Sequence, residues 1–260
     1  VTVTIFNPHW QGFKRSLVTY TRIPLTVDWD DTIKHTPAVC FLPWVGIVVA
    51  LLSAWPLWFE GLPATIQAIF MLLTAVLLTG GFHEDGLMDA CDGLVGGWDK
   101  EQRLKIMKDS RIGSYAALSI WFALMLKWLL LTQILLSFAS NSAHYGSALI
   151  AWIAVHSVSR ITPLVVMNTM EYVSAGGSKA SSMIARLDAP QWGVALLPCV
   201  LLLLLDFSYL IKAVLVLALF TFGARRYLRK RIDGYNGDAL GAVEQISEVL
   251  LLLCFMDALA

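Results

Sequence analysis

The chain of 260 residues is 57% apolar and only 15% charged, with a mean hydropathy of +0.67. Soluble domains carry about 25% charged residues, so a freely soluble domain, a disordered chain and a collagen-like repeat are all excluded. Nineteen basic and nineteen acidic residues cancel, leaving no net positive charge to attract a nucleic acid. Cys40, Cys91, Cys199 and Cys254 are scattered without a CxxC, which speaks against a disulfide framework and predicts mostly buried, reduced thiols.

A bilayer core takes about 20 mostly apolar residues per helix, and the chain divides on that scale. Residues 1–13 lack the basic start, apolar core and small-residue cleavage site of a signal peptide. Phe6, Trp10 and Phe13 beside Lys14 and Arg15 predict an interfacial helix or an aromatic lead-in. Residues 36–59 and 61–83 hold no Asp, Glu, Lys or Arg, and Glu60 with Gly61-Leu62-Pro63 parts them. A hairpin of two spanning helices is expected there.

The second expected span runs into Gly80-Gly81-Phe82-His83-Glu84-Asp85-Gly86-Leu87-Met88-Asp89-Ala90-Cys91-Asp92-Gly93. Asp85, Asp89 and Asp92 lie at i, i+4 and i+7, which a helix stacks on one face. Three carboxylates so close repel one another unless a cation neutralises them. Oxygen-only ligands suit Mg²⁺, which keeps several waters and takes substrate phosphates as its other ligands. The EF-hand pattern is absent, since it asks for Asp-x-Asp-x-Asp-Gly and a later Glu. Zinc is not expected, because His83 and Cys91 do not complete a four-ligand set. A solvated interfacial loop is the plainer alternative, and the helical spacing of the charges favours metal binding over it.

Lys105, Lys108, Asp109, Ser110, Arg111 and Gly113 come next. Cations beside an acidic metal site would cover phosphate oxygens that the metal leaves unpaired. Membrane anchoring accounts for Arg103 and Lys105, while Lys108 and Arg111 divide evenly between the two roles. Residues 112–138 hold only Lys127, and residues 145–170 carry His156 and Arg160. An arginine at the centre of a span costs at least about 2.5–3.5 kcal/mol, so Arg160 needs an anion or a polar cavity. Asp206, Glu244, Glu248 and a substrate phosphate all qualify. Residues 193–205 and 207–222 flank Asp206 as a short hairpin. Asn236-Gly237-Asp238 reads as a helix start, and residues 239–259 close the chain with Glu244 and Glu248 at i, i+4. Both glutamates are expected to face the bundle interior, and Lys127 and Lys212 to snorkel.

The sum is an all-α, polytopic integral membrane bundle of about seven transmembrane helices, in one domain over residues 1–260. Residues 1–38, 84–111, 171–190 and 225–238 hold every basic residue except Lys127, Arg160 and Lys212. The loops near Glu60, residues 140–144 and Asp206 hold none. That asymmetry predicts a cytoplasmic N-terminus and a cytoplasmic acidic motif.

Several blocks in order resemble the cobalamin synthase family, the adenosylcobinamide-GDP ribazoletransferases. Tyr20-Thr21-Arg22-Ile23-Pro24 and Phe41-Leu42-Pro43-Trp44-Val45-Gly46 are similar to its opening, and Gly80–Gly93 to its Gly-Gly-x-His-x-Asp-Gly-x-x-Asp-x-x-Asp-Gly core. Met107-Lys108-Asp109-Ser110-Arg111-Ile112-Gly113, Ser159-Arg160 and Gly237-Asp238-Ala239-Leu240-Gly241-Ala242 follow at family-like spacing. Glu84 departs from the pattern, and Tyr172-Val173-Ser174 stands where the family commonly shows Tyr-Ala-Arg. A basic ligand at position 174 is therefore not carried over, and either Lys179 or Arg186 is open as its replacement.

The resemblance implies assembly of the cobamide nucleotide loop at a bacterial inner membrane, with the active site facing the cytoplasm. α-Ribazole or its 5′-phosphate would be joined to adenosylcobinamide-GDP with release of GMP, on Mg²⁺ with Mn²⁺ as a substitute. On that reading Asp85, Asp89 and Asp92 hold the metal, and Asp92, with His83 second, takes the proton of the attacking hydroxyl. Lys108, Arg111 and Arg160 hold the pyrophosphate and departing GMP, and Asp238 completes the metal site or binds a ribose hydroxyl. The partners are these small molecules and the lipid bilayer, with a homo-oligomer allowed. The rival readings are another Mg²⁺-dependent membrane transferase, either CDP-alcohol phosphotransferase-like or prenyltransferase-like, and a cation-coupled transporter. The first lacks its Asp-Gly-x-x-Ala-Arg, the second its other acidic block, and the transporter its matching broken helices.

Overall fold

The computed structural model describes residues 8–29, 36–139, 144–174, 186–199 and 207–258. Phe6, Lys34, the loop at 140–143, Lys179 and Asp206 lie outside the described residues. The described residues form helices α1 (Pro8–Tyr20), α2 (Leu42–Ser53), α3 (Ala64–Thr79), α4 (Phe82–Gly96) and α5 (Lys100–Ile106). After them come α6 (Ser114–Ala139), α7 (His144–Val158), α8 (Ile161–Thr169), α9 (Ala189–Leu196), α10 (Phe207–Ile232) and α11 (Gly237–Ala258). The aromatic lead-in is thus helical, and the four cysteines are free thiols, Cys40 and Cys254 buried.

Among the described residues, four segments are long and apolar enough to cross a bilayer: Ala38–Trp58, Ser114–Phe138, Gly146–Thr169 and Gly237–Met256. The bent pair α3 and α4 makes a fifth if counted as one span. The expectation of about seven spans also counts residues 193–205 and 207–222, of which residues 200–205 lie outside the described residues, and reads residues 61–83 as one straight span. The stretch read as a straight span to residue 83 ends at Thr79, where the chain turns by 86°. Gly80 and Gly81 take φ of 68° and 70° in succession, a left-handed pair that glycine alone adopts at little cost. Of the expected hairpin around Asp206, the described residues form α9 over Ala189–Leu196, and the second limb runs on as α10 into the charged turn Arg229-Lys230-Arg231.

Glycine also sets a close helix approach between α4 and α11. A Cβ at Gly86 would stand 3.1 Å from Gly241 Cα, and one at Gly241 would stand 3.1 Å from Gly86 Cα. Backbones can approach this closely only where side chains are absent, so α4 lies flush on α11. Leu87, Ala90 and Leu94 of α4 pack with Ala239, Ala242 and Val243 of α11 and with Leu228 and Ile232 of α10.

Deeper along α11, both glutamates face the interior as the i, i+4 spacing predicts, Glu244 at 0% and Glu248 at 3% exposure. Lys127 of α6 does not snorkel. Its Nζ donates to Glu248 Oε2 and Gln245 Oε1, each at 2.5 Å. A buried carboxylate beside it is a better partner than a distant interface, because an unpaired charge in this interior is costly. His156 Nδ1 lies 2.8 Å from Glu248 Oε1. Arg160, at the break between α7 and α8, places Nη1 3.0 Å from Glu244 Oε1 and 3.4 Å from Glu248 Oε1, and donates to the His156 carbonyl. Ser159 Oγ and Gln245 Nε2 donate to the two oxygens of Glu244 at 3.3 and 3.0 Å. Two lysine and arginine cations thus meet two carboxylates in one connected network that joins α6, α7, α8 and α11.

This arrangement predicts that Arg160→Gln, which leaves Glu244 without its cation, destabilises the protein by about 3–5 kcal/mol. Adding Glu244→Gln should recover most of that loss, because no lone charge remains. Thermal unfolding of the single and double variants in detergent checks both.

Candidate active site

The bend at Gly80-Gly81 and the crossing at Gly86–Gly241 decide which faces of α4 meet what. His83 points inward, 5% exposed, with Nδ1 3.4 Å from Glu244 Oε2 and its ring stacked near Tyr20. Asp85 points outward and is exposed, and Asp89 is half-buried one turn on. Asp238, in the first turn of α11, adjoins this face because its backbone lies against Gly86. Asn236 supplies the helix start expected there. Its Oδ1 accepts the Ala239 N–H at 2.9 Å, and its Nδ2 donates to Asp238 Oδ2 at 2.8 Å. Asp89 lies in α4, outside the four spanning segments. Partial burial, then the neighbouring Asp85, Asp238 and Asp92 charges, push its carboxyl up to about 6.

Asp92 is placed differently from its two predecessors. It is buried, its Oδ2 accepting the Gly113 N–H at 2.6 Å and its Oδ1 the Ala116 N–H at 2.9 Å. Both oxygens therefore satisfy the first turn of α6, a capping job done from another helix. The structure brings together Asp85, Asp89 and Asp238, and it engages Asp92 at their edge in holding α6.

The basic candidates separate as well. Lys108 is exposed and its charge acts on Asp238. Arg111 is exposed and forms a bidentate pair with Asp109, Nη2 to Oδ2 at 2.5 Å and Nε to Oδ1 at 3.0 Å. The Arg111 side chain holds the Asp109 carboxyl down at about 2. Arg160 is in the buried network, connected to the acidic helix through Glu244 and His83. Arg186, one of the two candidates to replace the family arginine, pairs with Glu171 at 2.7 Å. Sequence reasoning assigned no role to Arg22, whose side chain lines a cleft beside Asp85. Its place in the Thr21-Arg22 block was the available signal.

Among the described residues, no three His, Cys, Asp or Glu side chains converge closely enough to cage a cation. The oxygen donors Asp85, Asp89 and Asp238 fit Mg²⁺ as that ion is commonly held, by one or two carboxylates with substrate phosphate completing the shell. They do not fit a closed protein site.

Helices long enough to span a bilayer, with a carboxylate-rich face and basic side chains beside it, define an integral membrane protein of the helical class. Residues 12–256 match the family described as cobalamin-5-phosphate synthase, and the chain belongs to that family of enzymes. Proteins of Shewanella baltica (strain OS195) and Shewanella sp. (strain ANA-3) are each 40% identical to it over 239 residues, covering 89% of this chain and 88% of theirs. One from Shewanella putrefaciens (strain CN-32) is 39% identical over 245 residues, covering 91% and 90%. All three carry the name adenosylcobinamide-GDP ribazoletransferase. No solved structure matches the chain.

The placements separate the aspartates experimentally. Asp92→Ala removes both acceptors from the α6 terminus and should cost about 1–3 kcal/mol of stability. Asp85→Ala and Asp89→Ala should leave the melting temperature unchanged or raise it, since each relieves crowding of like charges. Melting curves of the three variants make the comparison.

Proposed function

We propose that the enzyme joins α-ribazole, or α-ribazole 5′-phosphate, to adenosylcobinamide-GDP and releases GMP. The observation that carries this reading is the α4–α11 crossing, which sets Asp85 and Asp89 beside Asp238 and Lys108 in a chain of this family. In the reaction a ribazole hydroxyl attacks the phosphorus that bears the cobinamide aminopropanol oxygen. The bond from that phosphorus to the GMP oxygen breaks, GMP leaves with the bonding pair, and the hydroxyl proton passes to a base.

Transfer of this kind needs in-line positioning and charge neutralisation more than a covalent catalyst. Asp85, Asp89 and Asp238 are the residues to hold Mg²⁺, or Mn²⁺ in its place, which when bound would offset the charge of the pyrophosphate oxygens. Lys108 adds a cation at the same edge. Arg111 joins it by exchanging Asp109 for a phosphate oxygen. Asp92 has both oxygens engaged on α6 and His83 has Nδ1 facing Glu244, so Asp89, through the carboxylate oxygen that the metal would leave unbound, is the side chain suited to accept the proton. Arg160 acts as a positioning residue, holding Glu244, which in turn faces His83 at the start of the acidic helix.

The site faces the cytoplasm on this reading. Lys100 Nζ is 3.1 Å from Asp233 Oδ2, and Arg103 Nη1 donates to the Arg231 carbonyl at 3.0 Å. These contacts gather the basic α5 and the basic end of α10 at the end of the bundle where α11 begins with Asp238. The positive-inside rule assigns such an end to the cytoplasm.

Purified protein in lipid, given adenosylcobinamide-GDP and α-ribazole, should release GMP only with Mg²⁺ or Mn²⁺ present. Asp89→Ala should slow release at least about 100-fold. Near-normal turnover in EDTA removes the metal from the mechanism, and no GMP release under any condition overturns the assignment. In a cysteine-free background, a cysteine at position 60 should react with an impermeant reagent in intact cells, and one at position 230 should not. The reverse pattern overturns the orientation.

A further inference from the structure

A cleft of about 550 Å³ opens beside the acidic face, between the end of α1 with the residues just after it and the α3–α4 bend. Its polar lining is Thr19, Thr21, Arg22, Thr79, Glu84 and Asp85. Other large cavities are lined almost wholly by apolar side chains. The volume falls within the range of about 300–1,000 Å³ usual for small-ligand sites.

Arg22 is held in place by its backbone, whose N–H donates to the Leu78 carbonyl at 2.7 Å. Its guanidinium lies across Gly80, where any Cβ would overlap it. A Cβ there would displace the guanidinium, and the positive φ of Gly80 calls for glycine in its own right. Among the described residues the Arg22 guanidinium has no hydrogen bond or ion pair, and it is exposed. The threonine hydroxyls have spent their protons on backbone carbonyls. Thr19 donates to Arg15 O at 2.8 Å, Thr21 to Leu17 O at 2.6 Å and Thr79 to Ala75 O at 3.1 Å. Their oxygens can act toward a ligand only as acceptors.

The cleft thus offers one planar cation with five N–H donors, two carboxylates and acceptor hydroxyls. A bare phosphate would meet Arg22 but also the repulsion of Glu84 and Asp85. A neutral sugar would satisfy the acceptors and leave Arg22 unused. One chemistry uses both sides: a phosphate ester taken bidentately by the guanidinium, on a sugar whose hydroxyls donate to the carboxylates and threonines. We propose that this cleft is a ribose-phosphate subsite in which Arg22 holds the phosphate. The proposal rests on the reaction assigned above, in which two species carry that group: the departing GMP and α-ribazole 5′-phosphate.

Steady-state kinetics of the full chain in lipid, with Arg22→Gln and Arg22→Lys, tests the subsite and separates the sources. If it holds the ribazole phosphate, Arg22→Gln raises KM for α-ribazole 5′-phosphate about 10-fold or more and leaves KM for α-ribazole unchanged. If it holds the nucleotide, inhibition by added GMP weakens by the same factor and both ribazole KM values stay put. Arg22→Lys should recover part of either effect, and melting temperatures should not move, because the side chain is exposed. Calorimetric titration of GMP and of ribose 5-phosphate into the wild-type and Arg22→Gln proteins reads the subsite without turnover. A protein that releases no GMP overturns the assigned reaction, and binding lost in Arg22→Gln then still supports the subsite. A protein that releases GMP, with every KM, inhibition and binding constant unchanged in Arg22→Gln, overturns the subsite alone.

Discussion

Two carboxylates on one face of α11, buried where neither water nor lipid can solvate them, impose more order on this protein than any apolar contact. Glu244 and Glu248 can remain charged only beside cations and donors, and the chain supplies these from three other helices. Lys127 fixes the rotation of α6 about its axis, His156 that of α7, and Arg160 the break from which α8 departs. A buried pair of this kind adds little net stability over an apolar replacement, yet removing one partner is severe. Its effect is to penalise other packings of the same helices, each of which would strand a charge in an apolar interior.

The candidate site is built outward from that constraint. His83 faces Glu244 at 3.4 Å, so the first turn of α4 has its inner side set by the network, and Asp85 two residues on must point out. Gly86 and Gly241 then let α4 lie directly on α11, and Asp238 completes the carboxylate face. Asp92 ties the far end of α4 to the start of α6 through two backbone N–H groups. The acidic helix is thereby anchored at both ends by its own polar residues, and the carboxylates between remain free toward solvent. Side chains that serve metal and phosphate chemistry need a fixed frame, and here the frame and the site share one helix.

Buried ionisable residues within spans also suggested a transporter. The pairing found for them argues otherwise in physical terms. Each glutamate is matched by Lys127 or Arg160 and by further donors, whereas a coupling-ion site would present carboxylates for an incoming cation. The exposed carboxylates lie at the end of the bundle, beside Lys108 and the cleft that Arg22 lines. Family membership and geometry therefore both favour a transferase over a transporter.

Much of this was legible in the sequence because it is local. Hydropathy marked the four spanning segments, i, i+4 spacing turned Glu244 and Glu248 inward, and Asn236 announced the start of α11. The spacing of Asp85, Asp89 and Asp92 showed that they share a helix, and the ordered motifs pointed to the family. Tertiary structure alone decided that Gly80 and Gly81 turn the chain away from the second span. It also gave Asp92 to α6, paired Lys127 across 121 residues with Glu248, and brought Arg22 beside Asp85. A periodicity reports which face a side chain is on, but not what another helix places opposite it. Those partners are fixed only when every buried charge and every helix end must be satisfied at once.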